Sequence, residues 1–349
     1  MRISLNTQAD LRSNNHYGYG KSFIEIQKAF RNYSYNEQRL YVDFNSKRCK
    51  AQMYYGPHPV HNAHYPHQFK IHMSQTESTA FEKHKVDAYS SADEFWTANE
   101  WGMNAAIESG IPEEKVFVYH HGINPEIYNA FLRGKKDKIR FLHIDSGSPR
   151  KRSDLVENAF NEIYKKNKNI ELTLKYSHQP HGEESWLNQD VLKNRGNWIR
   201  PGTRHINETL SQNEMVALIN FHDVLVYPSE GEGFGMIPLE VLATGMPVIS
   251  THEWAPYSEY FKSGHIESKI KPSTINWGYS KEGNATIANF DSVIDRMQYF
   301  IDNIDLLSKD YFDQVDTIRS EYSWQNKTNN FLDSFVNRVG PDFLGKALR

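Results

Sequence analysis

The apolar positions along the chain fall into short runs that are typical of strands and longer stretches with helical spacing. The start of the chain predicts a strand over Arg2 to Leu5, a loop over Asn14 to Gly20 and a helix around Phe23 to Phe30. Further strands are predicted at residues 69–73, 94–97, 115–119, 139–144, 170–176, 224–227 and 247–251. Since strands that alternate with helices form right-handed crossover units, the pattern predicts mostly parallel sheets of the doubly wound α/β class.

Chain length and one charged segment predict two domains. At 349 residues the chain exceeds what one hydrophobic core usually serves. The segment Arg133 to Lys138, RGKKDK, is charged, contains a glycine and separates two strand-like runs, as an interdomain linker does. We therefore predict an N-terminal domain over residues 1–134 and a second domain that begins at residue 135.

Composition narrows the class of protein without identifying a partner. Cys49 is the only cysteine, which excludes an intramolecular disulfide and a thiolate zinc cluster. A net charge of -3 gives no overall attraction to nucleic acid or to an anionic membrane, although a balanced total can conceal local patches. No stretch approaches the roughly 20 apolar residues of a membrane span, and the first residues lack the apolar core of a secretory signal. We expect a soluble, cytoplasmic protein.

The most informative segment is Val224 to Ser250, VLVYPSEGEGFGMIPLEVLATGMPVIS. Its first residues predict a buried strand, the next turn is rich in glycine, and Met236 to Thr244 predict a helix with Gly245 at its C-terminal cap. Backbone amides and the helix dipole at such a junction favour phosphate. The segment therefore predicts a diphosphate site, with an ordinary tight turn as the alternative.

Two carboxylates make the prediction more specific. Glu232 lies in the loop and Glu240 in the helix, with seven residues between them. Carboxylates accept hydrogen bonds from hydroxyls, so acids on either side of a phosphate cradle suit the hydroxyl pairs of a nucleotide sugar. The alternative is one acid favoured by the helix dipole and one exposed helix glutamate.

The segment closely resembles the E-x7-E signature of the retaining family 4 glycosyltransferases, with YPS before the signature and ATGMPV after it. Residues 120–128, 149–160 and 322–335 resemble the same family in the same order. The resemblance implies the GT-B fold, in which two Rossmann-like doubly wound domains face a cleft. It also implies that the second domain ends at residue 321 and that the closing helix, about 322–349, joins the N-terminal domain.

The resemblance also assigns roles to residues. It places Glu232 beside the donor sugar hydroxyls, Glu240 on the ribose hydroxyls and Lys151, with Arg150 next to it, beside the diphosphate. The backbone amides around the diphosphate would be those of Gly233, Phe234, Gly235 and Met236. The chain departs from the family at Ile144-Asp145-Ser146, where members usually carry a glycine–arginine pair. Losing that cation is expected to weaken donor binding unless a neighbouring cation compensates.

The N-terminal half offers weaker candidates. A loop after the first strand carries Gly18 and Gly20, whose backbone could approach the donor phosphate or the acceptor, with a plain turn as the alternative. In relatives, a strand-end histidine of this domain is often found near the reacting carbon. His72 is the positional candidate here, and a structural histidine is the alternative.

Residues 51–69 contain no Asp, Glu, Lys or Arg, and they carry four histidines at a spacing of three, interleaved with tyrosines: His58, His61, His64 and His67. An acceptor-facing aromatic loop is preferred to a zinc site, because aligned ligands need a regular element and Pro59 and Pro66 oppose a continuous helix.

A basic cluster straddles the linker: Arg133, Lys135, Lys136, Lys138, Arg140, Arg150, Lys151 and Arg152. We interpret the cluster as a solvated surface plus a diphosphate site in preference to a nucleic-acid track.

These observations predict a retaining glycosyltransferase that moves a sugar from a nucleoside-diphosphate sugar, without a bound metal or cofactor. The acceptor would be a glycan, a lipid-linked sugar or another hydroxyl. Two alternatives stay open. The first is transfer to a hydroxymethylated DNA base. The second is a GT-B protein that is not a transferase, such as a nucleotide-sugar-binding subunit or an epimerase.

Overall fold

A computed structural model describes residues 2–7, 18–44, 46–57, 67–133, 137–145, 148–176, 198–251, 264–272 and 282–340. These residues divide into two compact units. The first unit falls within residues 1–122, 272–284 and 321–349, and the second within residues 123–271 and 285–320. The three residues at the centre of the predicted linker, 134–136, lie outside the described residues.

The described strands have the following bounds: β1 Arg2–Thr7, β2 Ser34–Tyr35, β3 Gln38–Arg39, β4 Tyr41–Asp43, β5 Ala51–Tyr55, β6 Phe69–Met73, β7 Glu94–Thr97, β8 Val116–Val118, β9 Ile139–Asp145, β10 Ile170–Tyr176, β11 Trp198–Arg200, β12 Thr203–Ile206, β13 Val224–Tyr227, β14 Val248–Ser250, β15 Ser268–Pro272 and β16 Asn284–Ala288. The described α-helices are α1 Tyr19–Arg31, α2 Lys83–Ser90, α3 Glu100–Glu108, α4 Ser153–Tyr164, α5 Gln212–Phe221, α6 Met236–Leu242, α7 Phe290–Asp302, α8 Ile304–Asp313, α9 Val315–Glu321 and α10 Trp324–Val339.

The first unit is built on a parallel sheet with the strand order β4-β1-β5-β6-β7-β8. Neighbouring residues of β7 show how both faces are covered, because successive side chains of a strand point to opposite faces. Phe95 packs in a core cluster with residues of α2 and α3, and the Trp96 ring lies 4.6 Å from the ring of Phe331 in α10. A sheet with helices on both faces is the doubly wound arrangement that the sequence predicts.

Helix α10 is held in the first unit by polar contacts as well as by its apolar face. The Ser323 side chain accepts a hydrogen bond from the Asn326 amide and caps the helix. Near the other end, the Arg338 guanidinium donates to both oxygens of Glu94, at 3.1 and 3.2 Å. This bidentate pair links the end of the helix to β7.

The second unit is built on the sheet β11-β12-β10-β9-β13-β14, in which β11 alone runs antiparallel to its neighbour. Because the other strands are parallel, the carboxyl ends of β9, β13 and β14 meet at one edge of the sheet. Ligands of open α/β sheets bind at that edge.

The structure confirms the α/β class and the strands predicted from residue 69 onward, whose ends shift by at most one residue. The hypothesis of an aromatic loop is wrong for Ala51–Tyr55, which forms the buried strand β5 between β1 and β6. Gln52 interrupts the apolar run, so the sequence pattern there does not look like a strand. The predicted loop over Asn14 to Gly20 is also too long, because α1 begins at Tyr19.

Arg133 contradicts the interpretation of the basic cluster as a solvated surface, because it is buried, with only 4% of the residue exposed. The guanidinium donates to the carbonyl oxygens of His222 and Thr244 at 2.8 and 3.2 Å, just beyond the ends of α5 and α6. These acceptors satisfy a charge that would otherwise be costly to bury. Arg133 is therefore a structural residue of the second unit.

Candidate functional site

The candidate site lies at the carboxyl edge of the second sheet, where two loops are joined by side-chain and backbone hydrogen bonds. The loop after β13 is fixed by the Ser250 hydroxyl, which donates to the Tyr227 carbonyl at 2.7 Å, and by the Thr251 hydroxyl, which donates to the Ser229 carbonyl at 2.7 Å. The Glu230 amide donates to the Arg150 carbonyl at 2.8 Å and so joins this loop to the loop after β9.

The loop after β9 carries the basic residues of the site. Residues Pro149–Lys151 form a single 3₁₀ turn, and Arg152 then adopts a left-handed conformation with φ 55° before α4 begins. A positive φ is unusual for a residue with a side chain and persists only where surrounding contacts hold it. The Arg152 guanidinium pairs with the carboxylates of Glu230 and Asp154, which hold it in place.

Glu232 is the centre of a buried ion cluster. One of its oxygens, Oε1, contacts the ammonium of Lys151 and accepts from the Arg150 guanidinium at 2.7 Å. The same oxygen accepts from the hydroxyls of Ser229 at 2.7 Å and Tyr227 at 3.2 Å. Lys151 and Glu232 are each 6% exposed. The sequence-predicted residues Arg150, Lys151 and Glu232 are thus in direct contact.

The cluster keeps Glu232 ionised. Burial would raise the pKa of the Glu232 carboxyl, but attraction to Arg150 and Lys151 and hydrogen bonds from Lys151 and Ser229 lower it to about 2. Burial and the neighbouring Glu232 carboxylate raise the pKa of the Tyr227 phenol well above its usual range. Tyr227 therefore stays a neutral hydrogen-bond donor beside the carboxylate.

Asp145 stands at the position where the resemblance leads one to expect a cation. It is 3% exposed at the end of β9, and its Oδ1 accepts from the Ser148 amide at 3.1 Å. Although burial opposes ionisation, His143 and the charge of Lys151 lower the pKa of Asp145. Around the two loops, the cations Arg150, Lys151 and Arg152 are therefore matched by three buried acids: Asp145, Glu230 and Glu232. Ser146 lies outside the described residues.

Glu240 and the glycine-rich turn follow Glu232 along the chain in the same unit. Gly235 has φ 78°, a conformation that favours glycine, and α6 begins at the next residue, Met236. Gly233 and Met236 are half-buried and Phe234 is buried. Glu240 is 5% exposed within α6, which contradicts the alternative of an exposed helix glutamate.

The remaining sequence candidates belong to the first unit. Gly18 precedes α1 with φ 39°, and Gly20 lies within the helix. His72 is 5% exposed near the end of β6, where its ring centre lies 6.0 Å from that of Tyr54 and 5.8 Å from that of Tyr89. The imidazole is thus packed among aromatic rings.

Sequence reasoning gave no role to Tyr227 and Ser229, although both donate hydrogen bonds to Glu232. The signal was present, because both residues belong to the Tyr-Pro-Ser run directly before the signature. It could be recognised as a strand end but not as a set of hydrogen-bond donors, since the direction of each hydroxyl depends on the fold of the loop.

Other parts of the basic cluster are also paired. Lys138 and Arg140 contact the two carboxylate oxygens of Glu171 at 2.8 and 3.4 Å, and Lys135 and Lys136 lie outside the described residues. Paired cations have less attraction to offer a phosphate backbone, so these contacts do not favour a nucleic-acid track.

The histidine-rich segment is described only in part. His58, His61 and His64 lie outside the described residues, and His67 is exposed, with its Nε2 2.9 Å from the Lys47 carbonyl oxygen. In the part of the chain that the structure describes, no three His, Cys, Asp or Glu side chains come together as a metal site.

Residues 126–277 match the family model described as Glycosyl transferases group 1. A curated relative, the uncharacterized glycosyltransferase 335 of Sulfolobus islandicus rod-shaped virus 1, is 30% identical over 176 residues. The match covers 46% of this chain and 49% of the relative, so the chain spans about half the length of the curated relative it matches. The residues that match this family model include Arg150, Lys151, Glu232 and Glu240.

Solved structures of glycosyltransferases share the fold. Anabaena HepE in complex with UDP-glucose is similar with a TM-score of 0.67 at 11% identity, over 96% of this chain and 99% of that chain. TarM is similar with a TM-score of 0.62 at 15% identity, over 84% of this chain and 56% of that chain. The trehalose-6-phosphate synthase OtsA is similar with a TM-score of 0.60 at 10% identity, over 81% of this chain and 71% of that chain. These similarities establish the GT-B glycosyltransferase fold.

Among the described residues, no helix is long and apolar enough to cross a membrane.

Proposed function

We propose that the protein is a retaining glycosyltransferase that moves a sugar from a nucleoside-diphosphate sugar to an acceptor hydroxyl. The observation that carries the proposal is the buried cluster of Lys151, Arg150 and Glu232, which lies within the matched family domain. A cation pair fixed at the carboxyl edge of a parallel sheet, beside a glycine-rich turn, is suited to binding a diphosphate. HepE, whose structure holds UDP-glucose, supports a sugar nucleotide as the donor class.

In the proposed mechanism the second unit stabilises the leaving group electrostatically. The bond between the anomeric carbon and the diphosphate oxygen breaks while the acceptor oxygen bonds to that carbon, and the acceptor proton passes to the departing diphosphate. Negative charge develops on the diphosphate during this step. The Lys151 ammonium and the amides from Gly233 to Met236 offset that charge, and no bound metal or cofactor is required. Glu232 holds Lys151 and Arg150 in position before the donor arrives and faces the hydroxyls of the donor sugar.

Glu240 is assigned to the ribose hydroxyls. Its carboxylate is buried in α6, eight positions beyond Glu232 and after the glycine-rich turn. Carboxylate oxygens accept hydrogen bonds only, so they suit the neighbouring hydroxyl pair of a ribose. The first unit would supply the acceptor side, with His72 near the reacting carbon and the backbone at Gly18 and Gly20 facing the substrates.

The test is release of nucleoside diphosphate from UDP-, GDP- and ADP-sugars by the purified full-length chain. A transferase is expected to release the diphosphate slowly to water and faster when a hydroxyl acceptor is added. Lys151→Met should reduce release at least tenfold, because one cation beside a developing charge is removed. Lys165→Met, which changes an exposed lysine of the same unit, should leave the rate unchanged. If the wild-type chain binds a sugar nucleotide but never releases the diphosphate, the protein is not a transferase.

One observation favours a second candidate, a nucleotide-sugar-binding protein without transferase activity. In the two described loops, the three cations are balanced by Asp145, Glu230 and Glu232, so a diphosphate would add negative charge that these cations do not offset. Asp145→Asn separates the candidates, since removing this acid should strengthen sugar-nucleotide binding in either case. Only in a transferase does the diphosphate release of the variant scale with its occupancy.

A further inference from the structure

We propose that an exposed aromatic and basic surface of the first unit binds the surface of an anionic lipid bilayer. This surface, the β4 edge patch, consists of Arg2, Arg31, Tyr41, Phe44, Lys47 and Arg48. Its residues belong to the first unit and none of them lies among residues 126–277, so the proposal does not rest on the proposed function.

The aromatic side chains of the patch are unusually accessible. Strand β4 is the last described strand on its side of the sheet, next to β1. Tyr41 in β4 is 59% exposed, and Phe44, directly after the strand, is 53% exposed. Two large aromatic side chains three positions apart at one sheet edge expose apolar surface to water, which is unfavourable. Exposed apolar surfaces of this kind often mark interaction sites.

Cations surround the two rings. The Arg2 guanidinium lies 5.7 Å from the centre of the Tyr41 ring, and the Arg31 guanidinium lies 5.9 Å from the centre of the Phe44 ring. Lys47 and Arg48 follow Phe44 within four residues and are exposed. Each ring of the patch is thus paired with a guanidinium, and two more exposed cations follow the second ring in the sequence.

Little acidic charge opposes the patch. Asp43 lies between Tyr41 and Phe44 in the sequence, and its carboxylate is 3.8 Å from the Arg2 guanidinium and accepts from the Cys49 thiol. Within the described ranges, no carboxylate lies within salt-bridge distance of Arg31, Lys47 or Arg48. The patch is therefore locally positive on a chain whose formal net charge is -3.

The arrangement of rings and cations favours a bilayer over single-stranded nucleic acid. Bases bind protein by stacking on open ring faces. Here one face of each ring already carries a guanidinium. At the headgroup level of a membrane, by contrast, aromatic rings insert into the interface while neighbouring cations bind anionic lipid headgroups. Each cation near an anionic surface adds about a fivefold factor to binding.

The experiment is co-sedimentation of the full-length chain with vesicles of phosphatidylcholine alone and with phosphatidylserine added. We expect binding to the anionic vesicles that weakens as salt is raised, because screening reduces the attraction. The variant Arg31→Gln/Lys47→Gln/Arg48→Gln should bind about 100-fold more weakly, as three cations are lost. The matched control Lys165→Gln/Lys166→Gln/Lys168→Gln removes three exposed lysines of the second unit and should bind like the wild type.

A second variant, Tyr41→Ser/Phe44→Ser, tests the aromatic contribution without changing charge and should weaken binding about tenfold. Melting temperatures close to the wild-type value would show that the variants are folded. Failure of the wild type to bind anionic vesicles at low salt would overturn the proposal. An equal loss of vesicle binding in the Arg31/Lys47/Arg48 variant and in the matched lysine control would also overturn it. Binding of a labelled single-stranded oligonucleotide that disappears in the patch variant, without vesicle binding, would assign the patch to nucleic acid instead.

Discussion

Glu232 shows what the sequence can and cannot predict about a single residue. Its place in an E-x7-E pattern identified it, together with Glu240, as a site candidate, and the resemblance to the same family added Lys151. The spacing could not predict that Lys151, Arg150, Ser229 and Tyr227 all converge on one oxygen of Glu232, because those contacts depend on how two loops from different strands meet. Sequence spacing therefore predicts the candidate site, and the tertiary structure determines its charge balance.

Replacing Glu232 with Gln should destabilise the fold as well as the site. The substitution leaves the buried Lys151 and the half-buried Arg150 without their shared carboxylate, and breaking a buried ion pair on one side typically costs about 3–5 kcal/mol. Denaturant unfolding at pH 7 measures the change in the free energy of unfolding. The control is Glu171→Gln, whose partners Lys138 and Arg140 are more exposed and whose loss should cost about 1 kcal/mol or less. Equal effects of the two substitutions would contradict the described cluster.

The stabilisation by Glu232 should also depend on pH with a defined sign. Its pKa is lowered from 4.5 to about 2 in the folded protein, so the contribution is complete above pH 4.5 and is lost as the pH falls toward 2. The difference in unfolding free energy between the wild type and Glu232→Gln should shrink by about 1.4 kcal/mol per pH unit in that window. Unfolding curves at pH 5 and pH 3.5 provide the measurement. A difference that stays constant would mean that Glu232 is not held ionised by its partners.

At the scale of elements, the strands predicted from residue 69 onward end within one residue of the observed strands, whereas β5 was missed. Gln52 and two tyrosines make Ala51–Tyr55 look polar, yet all five residues are buried because β5 lies between β1 and β6. Arg133 was misread for a related reason. A charged residue in a polar segment looks solvated until the carbonyl groups after α5 and α6 are known to surround it. Whether a polar residue is buried depends on neighbours that are distant in the sequence.

The carboxyl end of β5 gives a second pH-dependent prediction. The Tyr55 hydroxyl lies 2.8 Å from Nε2 of His121, a fully buried ring whose pKa burial lowers to about 3. Since the folded pKa is depressed below the ordinary 6.5, stability from neutral His121 is present above pH 6.5 and is lost as the pH falls toward 3. When the pH is lowered from 7 to 5, the free energy of unfolding should therefore decrease less in His121→Gln than in the wild type. His84→Gln, at an exposed histidine, should lose as much as the wild type.

At the scale of the whole molecule, the sequence predicted the GT-B fold, and the shared fold of HepE, TarM and OtsA establishes it. The near-neutral total charge was a poor guide to partners. It conceals a balanced buried cluster in the second unit and a positive, aromatic edge in the first. Both features depend on which charges meet in space, and composition does not contain that information.

The most direct test of the account is calorimetric titration of the full-length chain with UDP-, GDP- and ADP-sugars, repeated with Lys151→Met and Glu240→Gln. We predict that at least one nucleotide class binds the wild type and that each substitution weakens that binding about tenfold or more, in line with the loss of one charged contact. The control Lys165→Met should bind as the wild type does. Absence of binding by every nucleotide class, or unchanged affinity in both variants, would contradict the assignment of the donor site to this edge of the second sheet.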